Sequence, residues 1–134
     1  MADLLDVARG QMSAFNCGDV EAFVDQFTED AEWLPLRSET EGPYRGHDGL
    51  RAWFADSAET FESLHADVDS AHEVPGGVIA FGALDVKGRG SHAAVRVPIA
   101  WYFRLRGDKI RWARAYSDRA AALRDAGVTE DSLR

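Results

Sequence analysis

The chain has 134 residues, 46% of them hydrophobic and 28% charged, with a formal net charge of −8; this suits one globular domain over residues 1–134 with a real apolar core. That negative charge, with no basic stripe to offset it, repels phosphate backbones and argues against nucleic-acid binding. No apolar run reaches bilayer length, the opening Met1-Ala2-Asp3-Leu4-Leu5-Asp6 is acidic where a secretory signal is basic, and Cys17 is the only cysteine, so no membrane association, a cytoplasmic location, no internal disulfide and no thiolate metal cluster are expected.

From Leu4 to Phe15, the residues Leu4, Leu5, Ala8, Met12 and Phe15 recur at helical spacing. Gly18 stops this helix and Asp19 is an N-cap for the next, Val20 to Phe27; Cys17, at the junction, reads as a half-buried thiol without a chemical role. Ala31 to Leu36 is a short apolar strand around Trp33, and Pro35 places it at an edge or ends it early. Residues 37–47 form the longest loop. Asp48 caps a third helix, Gly49 to about Ser63, which buries Leu50, Trp53, Phe54, Ala58 and Phe61.

The second half reads as strands. Leu64 to Glu73 alternates weakly, Pro75-Gly76-Gly77 turns, and Val78 to Lys87 is apolar on both faces. After the turn at Gly88-Arg89-Gly90-Ser91, the segment His92 to Arg106 alternates clearly, its odd residues apolar from Ala93 to Leu105. Gly107-Asp108 is a hairpin turn with glycine first, which accounts for the Arg106-Gly107-Asp108 tripeptide better than adhesion does. Lys109 to Ser117 is the last strand. Asp118-Arg119 leads from it into the helical run Ala120-Ala121-Ala122-Leu123, and residues 128–134 are a tail beyond a core of about 4–127. The fold class is therefore α+β: three N-terminal helices on a curved antiparallel or mixed sheet, forming a cone with an apolar pocket at its wide end.

The candidate chemistry lies at the ends of two strands. On Lys109–Asp118 one face reads Ile110, Trp112, Arg114, Tyr116, Asp118, a mixture suited to a pocket wall; the opposite face, Arg111, Ala113, Ala115, Ser117, is small enough to meet a helix or a second subunit. One face of Val78–Lys87 carries Ile79, Phe81 and Ala83 and finishes with Asp85. Two carboxylates opening onto one apolar space cannot both ionise cheaply, so one would stay protonated as general acid and the other act as base. On this reading Asp118 and Asp85 move protons, Arg114 and Tyr116 hold a substrate oxygen, and Trp33, Phe81, Trp101 and Trp112 supply the walls. The alternative is structural: Asp118 caps the C-terminal helix, and Asp85 is a strand-end carboxylate paired with Lys87 or Arg89. The four histidines lack metal-ligand spacing, and no cofactor motif is present.

Three segments carry a family resemblance. Phe15-Asn16-Cys17-Gly18-Asp19-Val20-Glu21-Ala22-Phe23 with Phe27-Thr28-Glu29-Asp30-Ala31-Glu32-Trp33, then Tyr44-Arg45-Gly46-His47-Asp48-Gly49-Leu50, then Arg114-Ala115-Tyr116-Ser117-Asp118-Arg119 before the alanine run, resemble SnoaL-like proteins of the nuclear-transport-factor-2-like superfamily. The resemblance implies a cone-shaped domain, a homodimer formed through the sheet, and a pocket for a small hydrophobic molecule without metal or cofactor. It also implies cofactor-free acid–base chemistry of the cyclase, isomerase or epoxide-hydrolase type, or else a non-catalytic binding or dimerising module. Asp118 stands where the family's polyketide cyclases carry a proton-moving aspartate, and Asp118 and Asp85 match the paired aspartates of limonene epoxide hydrolases. The arginine that bridges that pair falls at Ala83, and the water-holding tyrosine and asparagine fall near Ala31 and Trp33. Ketosteroid isomerases match less well, with their base at Leu34 and an oxyanion donor at Trp101.

Overall fold

In the computed structural model, which describes residues 4–36, 43–90 and 93–133, α1 (Leu4–Cys17) and α2 (Val20–Asp25) are followed by β1 (Phe27–Leu34), β2 (Tyr44–Arg45) and α3 (Gly46–Thr60). Then come β3 (Phe61–Val74), β4 (Gly77–Gly88), β5 (Val95–Arg106), β6 (Lys109–Tyr116) and α4 (Arg119–Ala126), with a 3-10 turn at Glu130–Ser132. All the strands join one six-stranded sheet of order β2-β1-β6-β5-β4-β3. Every pairing is antiparallel except that of β1 with β6, which is parallel. The architecture is the α+β cone expected. Part of the expected loop (residues 37–42) and the expected strand start at His92 lie outside the described residues.

Local chemistry sets the helix ends. Asp19 caps α2 by accepting from the Ala22 amide at 3.1 Å. That helix is shorter than its apolar period suggests: the Gln26 carbonyl accepts from the Ile110 amide at 2.8 Å, so Phe27 opens β1 instead of closing the helix. Phe27 is buried in either conformation, which is why periodicity alone cannot separate them. α3 begins at Gly46, with Arg45 at the N-cap position and no side-chain cap; Asp48 lies inside the first turn and pairs with Arg51 at 3.0 Å. Cys17 is exposed instead of half-buried. Asn16 ties α1 to β3, its amide donating to the Ala66 carbonyl and accepting from the Ala66 amide, both at 2.8 Å.

The sheet separates two apolar layers. Residues of α1, α2 and α3 (Met12, Phe23, Leu50, Trp53) pack on Val78 and Ala80 of β4, Trp101 and Phe103 of β5, and Ala113 and Ala115 of β6. On the opposite face Ala122 and Ala126 of α4 cover Ile79, Phe81, Ala100, Tyr102 and Tyr116. This explains why both faces of β4 are apolar.

Two of the sheet's register shifts bear on where its side chains point. The pairing of β3 with β4 shifts between Val68 and Ser70. Opposite this bulge is Gly82, where a Cβ would come within 1.9 Å of the Asp67 carbonyl oxygen; a bulge beside a close backbone approach bends both long strands. The pairing of β5 with β6 shifts between Arg104 and Leu105, leaving Arg111 unpaired. That extra residue reverses the alternation of β6. Ile110 joins Ala113 and Ala115 on the face under α1–α3, while Trp112, Arg114 and Tyr116 turn toward α4. The expected single face of Ile110, Trp112, Arg114, Tyr116 and Asp118 is therefore broken, and the small Ala113–Ala115 face meets the N-terminal helices, the first of the two partners expected for it.

Candidate functional site

The three N-terminal helices do not fill the concave face of the sheet. Between them lies a cavity of about 170 Å³. A cavity of roughly 150 Å³ with apolar walls is enough to hold a benzene molecule. Phe15 of α1, Trp53 of α3, Leu84 of β4, Ile99 and Trp101 of β5 and Ala115 of β6 contribute to the walls. The sequence pattern leads here through the odd residues of β5, whose inward face carries Ile99 and Trp101.

Few polar groups line the space. Asp56 and Thr60 of α3 are exposed at its rim. The Tyr44 hydroxyl donates to Asp56 Oδ2 at 3.2 Å. Gln11 of α1 is 3% exposed, and its Oε1 has no hydrogen-bond partner. Asp56 is the one charged side chain among the described lining residues. Also among the described residues, no group of three His, Cys, Asp or Glu could hold a metal ion, and no helix is long and apolar enough to cross a membrane.

A SnoaL-like domain model matches residues 8–113. The chain belongs to the SnoaL-like domain family. No curated protein matches its sequence, but solved structures share the fold. One is a hypothetical protein with a ketosteroid isomerase-like fold from Catenulispora acidiphila in complex with trimethylamine (TM-score 0.75, 19% identity, 93% of this chain and 95% of that one). Another is TerC co-crystallised with polyporic acid (TM-score 0.76, 16% identity, 92% and 96%). A third is a candidate SnoaL-like polyketide cyclase from Shewanella denitrificans (TM-score 0.73, 14% identity, 92% and 95%).

In this SnoaL-like chain the side chains singled out by sequence are mostly on the other side of the sheet. Asp118 is exposed and caps α4, accepting from the Ala120 amide at 3.0 Å. The alternative reading of that residue is the one its geometry follows: β6 ends at Tyr116 and Asp118 stands at the N-cap position, where the helix's free amides need an acceptor. Asp85 faces away from the cavity. Arg96 grips both its oxygens at 2.9 and 3.0 Å and reaches Asp67 at 2.8 Å. Hydrogen bonding to Arg96 holds the Asp67 carboxyl below its usual range. The partner of Asp85 is thus Arg96; Lys87 instead pairs with Glu62, and Arg89 donates to the Ala58 carbonyl.

Tyr116 and Arg114 anchor α4. The Tyr116 hydroxyl donates to Asp125 Oδ2 at 2.7 Å, and Arg114 stands 3.8 Å from the same oxygen. Burial, reinforced by the Asp125 carboxylate, pushes the Tyr116 phenol above its ordinary range. Phe81 lies under the Arg119 guanidinium at 3.8 Å, and Trp112 under that of Arg104 at 4.3 Å, both outside the cavity. Trp33 is buried behind the wall, edge-on to Trp53 at 5.3 Å. Of the eight side chains, Trp101 alone lines the hollow. The sequence pattern does not mark Gln11, Tyr44 and Asp56 as a site. Gln11 did carry a signal: it falls on the apolar stripe of α1, three residues after Ala8 and four before Phe15, where a polar side chain needs a reason.

Proposed function

We propose that this SnoaL-like chain binds a compact, mostly apolar organic molecule in the cavity between α1, α3 and the sheet. The observation that carries this reading is the cavity itself, an unfilled space with mostly apolar walls between α1, α3 and the concave face of the sheet. The fold neighbours crystallised with trimethylamine and with polyporic acid support it by analogy. About ten ligand heavy atoms contributing roughly 0.5 kcal/mol each correspond to a Kd of about 0.2 mM. Trp53 and Trp101 border the space, so occupancy changes tryptophan emission. A titration with small aromatic and alicyclic compounds should give saturable changes. Emission that stays flat to millimolar ligand, with no binding heat, would remove the reading.

The second reading is a cofactor-free acid–base enzyme of the cyclase or isomerase kind, favoured by the Tyr44–Asp56 pair at the rim. A carboxylate beside a phenol supplies one base and one proton donor within reach of a bound molecule. On that reading Asp56→Asn abolishes turnover of a bound substrate while its affinity stays within about threefold; turnover that survives the change excludes Asp56 as the base.

A further inference from the structure

We infer that the molecule held in this cavity is a neutral alcohol or phenol whose hydroxyl meets the side-chain amide of Gln11. The inference rests on the ligand-binding reading above and narrows it to one chemistry. Gln11 is 3% exposed on the buried stripe of α1, borders the cavity, and leaves Oε1 unpaired. Buried polar atoms without partners are rare, because each forfeits its hydration without replacement. A ligand that supplies a hydrogen bond recovers that loss, and one that cannot leaves it in place.

The lining selects among polar groups. An anion finds no Lys, Arg or His among the described lining residues and meets Asp56 instead. An ammonium group carried in to Gln11 gives up its hydration for a single neutral amide. A carbonyl accepts but does not donate, so it meets the Gln11 amide in only one of that amide's two orientations. A hydrocarbon offers nothing. A hydroxyl both donates and accepts, and so it satisfies the Gln11 amide whichever way its oxygen and nitrogen are turned. The aromatic and aliphatic walls and the volume of about 170 Å³ set the size at one ring with short substituents.

The test compares 4-ethylphenol with 4-ethyltoluene, which has the same shape with a methyl in place of the hydroxyl, by calorimetric titration of the native chain and of Gln11→Met. The readout is the ratio of the two Kd values, native against variant, in which the differing hydrophobicity of the compounds cancels. The expected result is a loss of about tenfold in preference for the phenol on Gln11→Met, larger than the change on Asp56→Asn. On the native chain, the Gln11 side-chain amide NMR resonances should shift with 4-ethylphenol and stay in place with 4-ethyltoluene, a measurement that needs no variant. A ratio unchanged within twofold, or one that collapses in Asp56→Asn instead, overturns the role of Gln11 while the binding reading stands. Failure of both compounds and the wider panel to bind overturns the two together.

Discussion

Enlarging Ala115 tests whether the hollow is real, because the sign of the stability change depends on it. Ala115 is 6% exposed on the inward face of β6, opposite Trp101, and borders the cavity. Ala115→Leu adds the equivalent of about three methylenes, worth about 2.4 kcal/mol when buried at roughly 0.8 kcal/mol each. Fixing the leucine side chain returns about 0.5–1 kcal/mol. The net expectation is a gain of about 1.5 kcal/mol, or a rise in Tm of roughly 5 °C for a chain of this size. In a fully packed interior the same insertion costs about 1–3 kcal/mol. Urea denaturation with an unchanged m-value measures the difference. The same variant should lose ligand binding, since its side chain occupies the ligand's space. A loss of more than about 1 kcal/mol on Ala115→Leu would mean that the space is filled by protein.

Two further expectations concern the opposite face. Asp118→Asn should leave stability unchanged within about 0.3 kcal/mol, and Asp118→Ala should cost about 1 kcal/mol with ligand affinity untouched, as befits a cap; a large loss of affinity or turnover in Asp118→Asn would return the residue to the chemistry. Tyr116→Phe should cost about 1 kcal/mol at neutral pH through the lost bond to Asp125. Because the folded phenol ionises above the unfolded value near 10, its contribution is complete below about pH 10 and declines as pH rises past that point. The gap between native and Tyr116→Phe should therefore narrow in alkaline denaturation series, and a gap constant from about pH 8 to 11 would show that the phenol is not held in its neutral form.

The elements readable from sequence were those fixed by neighbouring residues. The Asp19 cap with its Gly18 stop, the alternation along β5 and the turn at Gly107, whose φ is 63°, all depend on chemistry within a few positions. What failed depended on distant contacts. One unpaired residue, Arg111, reversed the facing of β6 and carried Arg114 and Tyr116 out of the presumed pocket. Strand β4 is apolar on both sides, so nothing in its own pattern said whether Phe81 and Asp85 or Leu84 and Val86 look inward; the position of α4 decides it. Gln11 shows the division most plainly. Its place on a buried stripe is visible in the spacing of α1, but the missing partner of Oε1 is a property of the folded chain.

A crystal structure of the native chain grown with 4-ethylphenol would decide where this protein meets its ligand. The account expects the ring between Trp53, Leu84 and Trp101, with its oxygen within about 3.2 Å of the Gln11 amide. Density beside Asp118 and Tyr116 on the α4 face, with the hollow empty or collapsed, would contradict it.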